Sequence, residues 1–182
     1  MSILRVVVTG TALLIVGGCE DGGRIVSSSS ESSVEGRSFD LPALAARRVE
    51  TLGSFDAIVD FTTLTLTPRG RNCLLVVRGQ LVFSGTIEGP AVGQTSALVF
   101  APCADVATNP PGAFEDVFRS ELVFEGTVDG EPASANVLYM GRSQPGGRIT
   151  GRLVFSNGVQ GRLEVDAQLA VGGVYQGSVV VN

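Results

Sequence analysis

From Phe55 onward the chain alternates apolar and polar side chains with a period of two, and glycine punctuates the pattern every few residues. In residues 73 to 88 the odd positions are Cys73, Leu75, Val77, Gly79, Leu81, Phe83, Gly85 and Ile87, while the even ones end in Gln80, Val82, Ser84, Thr86 and Glu88. Phe118, Leu122, Phe124 and Val128 repeat the alternation on even positions, opposite Arg119, Glu121, Glu125 and Asp129. Successive strand residues point to opposite faces, so such stripes describe antiparallel strands with one buried and one wet face. Glycine makes up 24 of 182 residues, nearly twice its usual share of about 7%, as a turn-rich all-β chain requires.

An internal repeat supports this reading. Arg78 to Gly89 and Arg119 to Gly130 share seven identities in twelve, and Leu153 to Gly161 echoes both. The spacing is too irregular for a propeller or solenoid, so the copies are neighbouring strand-and-turn units meeting the same packing demand. In each unit Gly85 or Gly126 falls on the Leu/Phe face, where a small residue relieves crowding or lets the strand bend. Counting candidates gives eight strands, at roughly 55–66, 73–88, 95–101, 117–128, 133–141, 147–155, 159–170 and 173–181. Short links and long sequential strands predict an up-and-down antiparallel barrel, because closure hides the edges; a two-sheet sandwich is the alternative.

Parity carries the strand order into register. Ile149, Gly151, Leu153 and Phe155 form one odd stripe, and Val159 through Leu169 another. Directly opposed residues share a face, so two odd stripes meet only across an odd-length loop. A three-residue loop Ser156-Asn157-Gly158 would pair Phe155 with Val159 and Ile149 with Val165. A loop Val171-Gly172-Gly173 would pair Leu169 with Tyr175, Val165 with Val179 and Leu163 with Val181.

One helix is expected ahead of the strands. Asp40 can cap it, Pro42 sits in its first turn, Gly53 can stop it, and Leu41, Leu44, Ala45, Val49 and Leu52 make one apolar stripe. Of three cysteines, Cys73 and Cys103 form the pair available for a disulfide. Register opposes that bond. A hairpin turning near Pro90 leaves Cys103 close to Gln80, over 20 Å from Cys73 at about 3.3 Å per residue, whereas a disulfide needs Cα atoms within about 7 Å. Either strand 73–88 breaks at Gly79 or the bond is absent.

The N-terminus reads as an address. Arg5 precedes the apolar run Val6 to Val16, which has the length of a signal peptide and is short for a bilayer of about 30 Å. It ends in Val16-Gly17-Gly18-Cys19. Those residues resemble the lipobox of bacterial lipoproteins, and the resemblance implies cleavage before Cys19, its lipidation, and membrane attachment in the bacterial cell envelope, on the periplasmic or extracellular face. Residues 19–38, with Ser27 to Ser33 almost wholly serine, read as a flexible tether with a reach of roughly 25 Å. Residues 1–18 are then leader, 19–38 tether and 39–182 the barrel domain. Phe124 to Gly130, followed by the Gly-punctuated stretch through Gly172-Gly173-Val174-Tyr175-Gln176-Gly177, resembles the small secreted bacterial barrels related in shape to allene oxide cyclase. That resemblance implies a barrel over about residues 73–182 and transfers no active-site residue. The chain has no Trp, so the Gly-x-Trp of lipocalins is missing.

Composition removes much chemistry. The chain has no His, and all 13 basic residues are Arg, which excludes Ser-His-Asp and Cys-His nucleophile systems, Schiff-base lysines and His-containing zinc sites. The net charge of −5 with scattered acids argues against a nucleic-acid partner, which needs a concentrated basic surface. Glu115-Asp116 and Asp129/Glu131 have no EF-hand spacing, and no metal or cofactor is expected. Arg142, Arg148, Arg152 and Arg162 make the C-terminal third locally basic, a solvated face or a contact for lipid headgroups or an anionic partner. An eight-stranded barrel is filled by side chains or holds one small ligand. The inward candidates are Leu81, Phe83, Ile87, Leu122, Phe124, Val128, Leu153, Phe155, Leu163, Val165 and Tyr175, so a ligand would be apolar. Of the two phenols, Tyr139 and Tyr175, each if buried should bond a backbone carbonyl. The expectation is a non-catalytic envelope lipoprotein that binds an apolar molecule or an envelope partner, or a structural one with a filled barrel, with an enzyme using only carboxylate, Arg or Tyr groups a distant third.

Overall fold

Eight antiparallel strands succeed one another and close on themselves in a computed structural model that describes residues 46–181. They are β1 Arg47–Arg69, β2 Asn72–Gly85, β3 Ile87–Val99, β4 Asp116–Val128, β5 Glu131–Ser143, β6 Arg148–Ser156, β7 Val159–Gln168 and β8 Gly172–Val181, with a single six-residue helix among the described residues, α1 Cys103–Thr108. Each strand pairs with its neighbours in sequence, and β8 returns to β1 through ten pairs from Arg47↔Val181 to Asp56↔Gly172. The expected closed barrel is therefore the fold, closed where β8 meets the first half of β1.

The helix expected over 40–52 is corrected. Residues 40–45 lie outside the described residues, and from Arg47 the segment is strand. Val49, Thr51 and Phe55 point inward in strand alternation, whereas Leu52, the last residue of the supposed helical stripe, is 68% exposed. The ten-pair ladder to β8 outweighs a local helical pattern, as tertiary pairing commonly does.

The core fills one half of the barrel. All eleven inward candidates, Leu81, Phe83, Ile87, Leu122, Phe124, Val128, Leu153, Phe155, Leu163, Val165 and Tyr175, are buried. Phe83 sits at the centre, with ring centroids 5.6 Å from Tyr175, 5.8 Å from Phe55, 6.0 Å from Phe124 and 6.2 Å from Phe155. These tilted and edge-on contacts suit the ring quadrupole. Glycines make room for the rings: a Cβ on Gly53 would stand 2.4 Å from the Tyr175 hydroxyl, and one on Gly126 2.9 Å from Phe124 Cζ. The Tyr175 hydroxyl accepts the Ile87 N–H at 3.0 Å and lies 3.2 Å from the Ser84 and Ile87 carbonyls, to one of which it donates.

Three turns differ from expectation. The β2–β3 hairpin turns at Thr86, not near Pro90; Phe83 pairs with Gly89 and Cys73 with Val99. Thr86 explains the choice, since its N–H and hydroxyl both donate to the Leu52 carbonyl and its hydroxyl accepts the Leu52 N–H. Pro90 lies inside β3 opposite Val82, where the β3–β4 ladder skips Gly89 and Pro90, as a residue without an N–H requires. This shift resolves the cysteine conflict. Cys103 follows Val99 by four residues, and Cys73 and Cys103 are disulfide-bonded with Cα atoms 4.8 Å apart.

The two later hairpins keep the expected parity and change register. Leu153 faces Leu163, Ile149 faces Ala167 and Phe155 faces Gly161 rather than Val159, a slip of two residues. Val165 faces Tyr175, Leu163 faces Gly177 and Val159 faces Val181, a slip of four. The second turn is Leu169-Ala170-Val171, with Ala170 in the left-handed region at φ 54°. Gly172 and Gly173 belong to β8, where a Cβ would stand 2.1 Å from the Phe55 carbonyl oxygen and 2.4 Å from Ala167 Cβ respectively. Close strand approach, not turning, is what those glycines serve.

Candidate functional site

The other half of the barrel is covered by a lid. Residues 100–115 leave β3 and return to β4, with the Phe100 N–H donating to the Glu115 carbonyl across their base. The lid carries α1, whose N–H groups at Asp105 and Val106 donate to the Pro102 carbonyl. Because α1 has six residues, no side-chain N-cap and no buried residue, it cannot hold itself in place. Its anchor is the Cys73–Cys103 bond, set in a small cluster of Val99 and Ala101 with Leu66, Leu75, Val106 and Phe114 against it. The neighbouring turns are tied in as well: the Gly146 N–H donates to the Gly112 carbonyl, Leu169 N–H to Gly147 and Ala57 N–H to Val171.

Beside the lid β1 bulges. Asp60 pairs with Arg78 and Thr65 with Val76, so Phe61, Thr62, Thr63 and Leu64 oppose the single residue Val77. Asp60 Oδ1 accepts the Thr62 N–H at 3.0 Å, and Thr63 Oγ1 accepts the Arg78 N–H at 2.9 Å. These bonds replace the lost ladder pairs and hold the bulge open.

Between lid, bulge and packed core lies a cavity of about 320 Å³, at the lower end of the range that holds small molecules. Its wall is mostly apolar, including Phe55, Val77, Ala97, Phe118 and Ile149 beneath and Val106 and Phe114 on the lid. Of the eleven inward candidates, Leu81 and Leu122 line it. Phe83, Ile87, Phe124, Val128, Leu153, Phe155, Leu163, Val165 and Tyr175 do not; they pack the filled half.

A polar strip crosses this wall. Thr95 and Ser120, cross-strand partners, share a hydrogen bond of 2.7 Å. Asp116 is 8% exposed and its Oδ2 accepts the Ser143 hydroxyl at 2.5 Å. Desolvation pushes the Asp116 carboxyl above the ordinary range, the Ser143 bond pulls it back and the Glu115 charge raises it further. Tyr139, 5% exposed, rests edge-on against Phe118 at 4.8 Å and Phe55 at 5.9 Å. Its hydroxyl has no hydrogen-bond partner among the described residues, and burial pushes its pKa up. So Tyr175 bonds backbone as expected of a buried phenol and Tyr139 does not.

The remaining singled-out residues stand apart from the cavity. Glu115 pairs with Arg142, Arg148 with Asp166 and Arg162 with Glu164, so three of the four arginines of the basic third are neutralised on the outer face. Asp129 sits in the β4–β5 turn and pairs with Arg47, and Glu131 is exposed. Cys19 lies outside the described residues. The polar members that sequence reading passed over, Thr95, Ser120 and Ser143, had one signal: Ser120 interrupts the even stripe between Phe118 and Leu122.

Fold and cavity together define a closed antiparallel β-barrel, packed at one end and hollow under a disulfide-pinned lid at the other. No protein-family model matches the chain, and no curated protein matches it.

Proposed function

We propose that the protein is a non-catalytic, lipid-anchored component of the bacterial envelope that binds an apolar small molecule in the hollow half of its barrel. The cavity carries this reading. A barrel of eight strands can be filled outright, and here the chain fills one half while bridging a lid over a space of about 320 Å³ at the other. Apolar walls with a few polar groups are the usual composition of a small-molecule site. Membrane attachment rests on Val16-Gly17-Gly18-Cys19, and a Cys19→Ser chain that still sediments with membranes refutes it.

The binding reading is tested at Ala97, a buried residue of the cavity wall. Ala97→Phe is expected to fill the space and abolish uptake of an apolar fluorescent probe while circular dichroism stays that of the barrel. Unchanged probe binding in the folded variant puts the ligand elsewhere.

A further inference from the structure

The polar strip in the cavity has a definite charge preference. Asp116 is the first inward residue of β4, at the margin of the lid, and Phe118 and Ser120 follow it on the same face. Its Oδ2 accepts from Ser143, and Oδ1 accepts from no group among the described residues. Arg142, the neighbour of Ser143 on β5, is already paired with Glu115 on the outer face. Among the described residues one cation borders the cavity, Arg78, which is exposed and belongs by alternation to the outer face of β2 beside the bulge. The inner wall thus holds one carboxyl without a counter-charge, in a cavity also lined by Phe114, Phe118, Tyr139 and Phe55. A buried carboxylate costs free energy unless a cation compensates it, and ring faces attract a cation further.

Resting on the cavity as the ligand site, we propose that it selects an apolar amine, whose ammonium group pairs with Asp116 while its hydrocarbon body lies among the aromatic rings. The same arrangement rejects carboxylates, because Asp116 presents like charge to the cavity and Arg142 is already paired with Glu115 on the outer face. Neutral molecules of equal shape gain the apolar contacts, and a hydroxyl can donate to Asp116, but they form no ion pair with it. Desolvation is the chief cause of the raised proton affinity of the Asp116 carboxyl, and an ammonium partner offsets that cost.

The test compares 4-phenylbutylamine, 4-phenylbutanol and 4-phenylbutyrate on the full chain at neutral pH by titration calorimetry. A charge-assisted hydrogen bond is worth about 1.5–3 kcal/mol, so the amine should bind about 10- to 150-fold more tightly than the alcohol, with the butyrate weakest. Asp116→Asn keeps an acceptor for Ser143, removes the charge, and should abolish the preference for the amine over the alcohol. Equal binding of amine and alcohol by the unmodified protein overturns the inference without depending on any variant. So does an amine preference that survives Asp116→Asn, or tightest binding of the butyrate, which would assign the head group to Arg78. Binding of none of the three sinks the cavity reading itself, whereas alcohol binding without amine preference sinks this inference alone.

Discussion

Breaking the Cys73–Cys103 bond should cost the barrel a calculable share of its stability. The bond closes a loop with a sequence separation of 30. In the chain-entropy treatment, a loop of that size removes about 12 cal/mol/K from the unfolded ensemble, or about 3.6 kcal/mol at 25 °C. For a domain of this length that shifts the melting temperature by about 12 °C. The variants are Cys73→Ala, Cys103→Ala and the double, melted by circular dichroism beside the unmodified protein with and without reductant. All three should lose the same amount, since each removes one and the same constraint. A second readout separates loop entropy from the lid's own ordering. α1 has no buried residue and no side-chain cap, so the amides of Asp105, Val106 and Asn109, bonded only within the lid, should exchange nearly freely in the variants. Amides of β4 and β5 should accelerate only by the global amount. A loss under about 4 °C, or single-variant effects that add in the double, refutes the reasoning.

The two tyrosines should behave oppositely. Tyr175→Phe strands the fully buried Ile87 N–H and should cost about 1–3 kcal/mol, while Tyr139→Phe removes a hydroxyl with no partner and should leave urea midpoints unchanged or raised; equal losses would refute the assignment. Asp116 gives a pH dependence of known sign. Its folded pKa is raised, so its contribution is complete below its unfolded value near 3.8 and lost as pH rises through the folded value. Asp116→Asn should therefore gain stability over the unmodified chain as pH climbs from 3.5 to neutrality, and thermal melts showing the gap widen on acidification would contradict it. Gly93→Ala should destabilise strongly, because its Cβ would lie 2.0 Å from the Glu121 carbonyl oxygen. Gly70→Ala meets nothing within 4 Å and has only its φ of 65° against it, for about 1 kcal/mol; urea denaturation ranks the two.

Alternation made the fold class and the inner face legible, and it left register open for a physical reason. A stripe of period two is unchanged by a slip of two residues, so parity correctly demanded odd loops after Phe155 and Leu169 without choosing among them. The choice falls to contacts that no stripe displays. Tyr175 opposite Val165 reaches Ile87 and Ser84 with its hydroxyl, whereas Tyr175 opposite Leu169 would sit among the lid turns. Turn residues misled for a related reason: Gly172-Gly173 looks like a loop, yet Ala170 supplies the left-handed residue. Residues 47–52 satisfy helix and strand patterns at once, and only the ladder to β8 decides between them.

The cavity was harder to see than the barrel because its polar strip is assembled from single residues. Thr95 on β3, Asp116 and Ser120 on β4, and Tyr139 and Ser143 on β5 come together only through strand pairing, and no two of them make a motif in sequence. The sequence could show that inward positions are apolar; it could not show that the lid leaves space beneath it. That division has an energetic consequence. The aromatic half, with Phe83 touching Tyr175, Phe124 and Phe155, supplies packing that does not depend on the hollow half. A buried carboxyl can then be tolerated beneath the lid, since Asp116 stands outside the core cluster, while the Tyr139 ring packs within that cluster and only its hydroxyl goes unpartnered. Destabilising groups retained at one end of a domain whose other end is densely packed are the arrangement expected where a site is kept at the expense of stability.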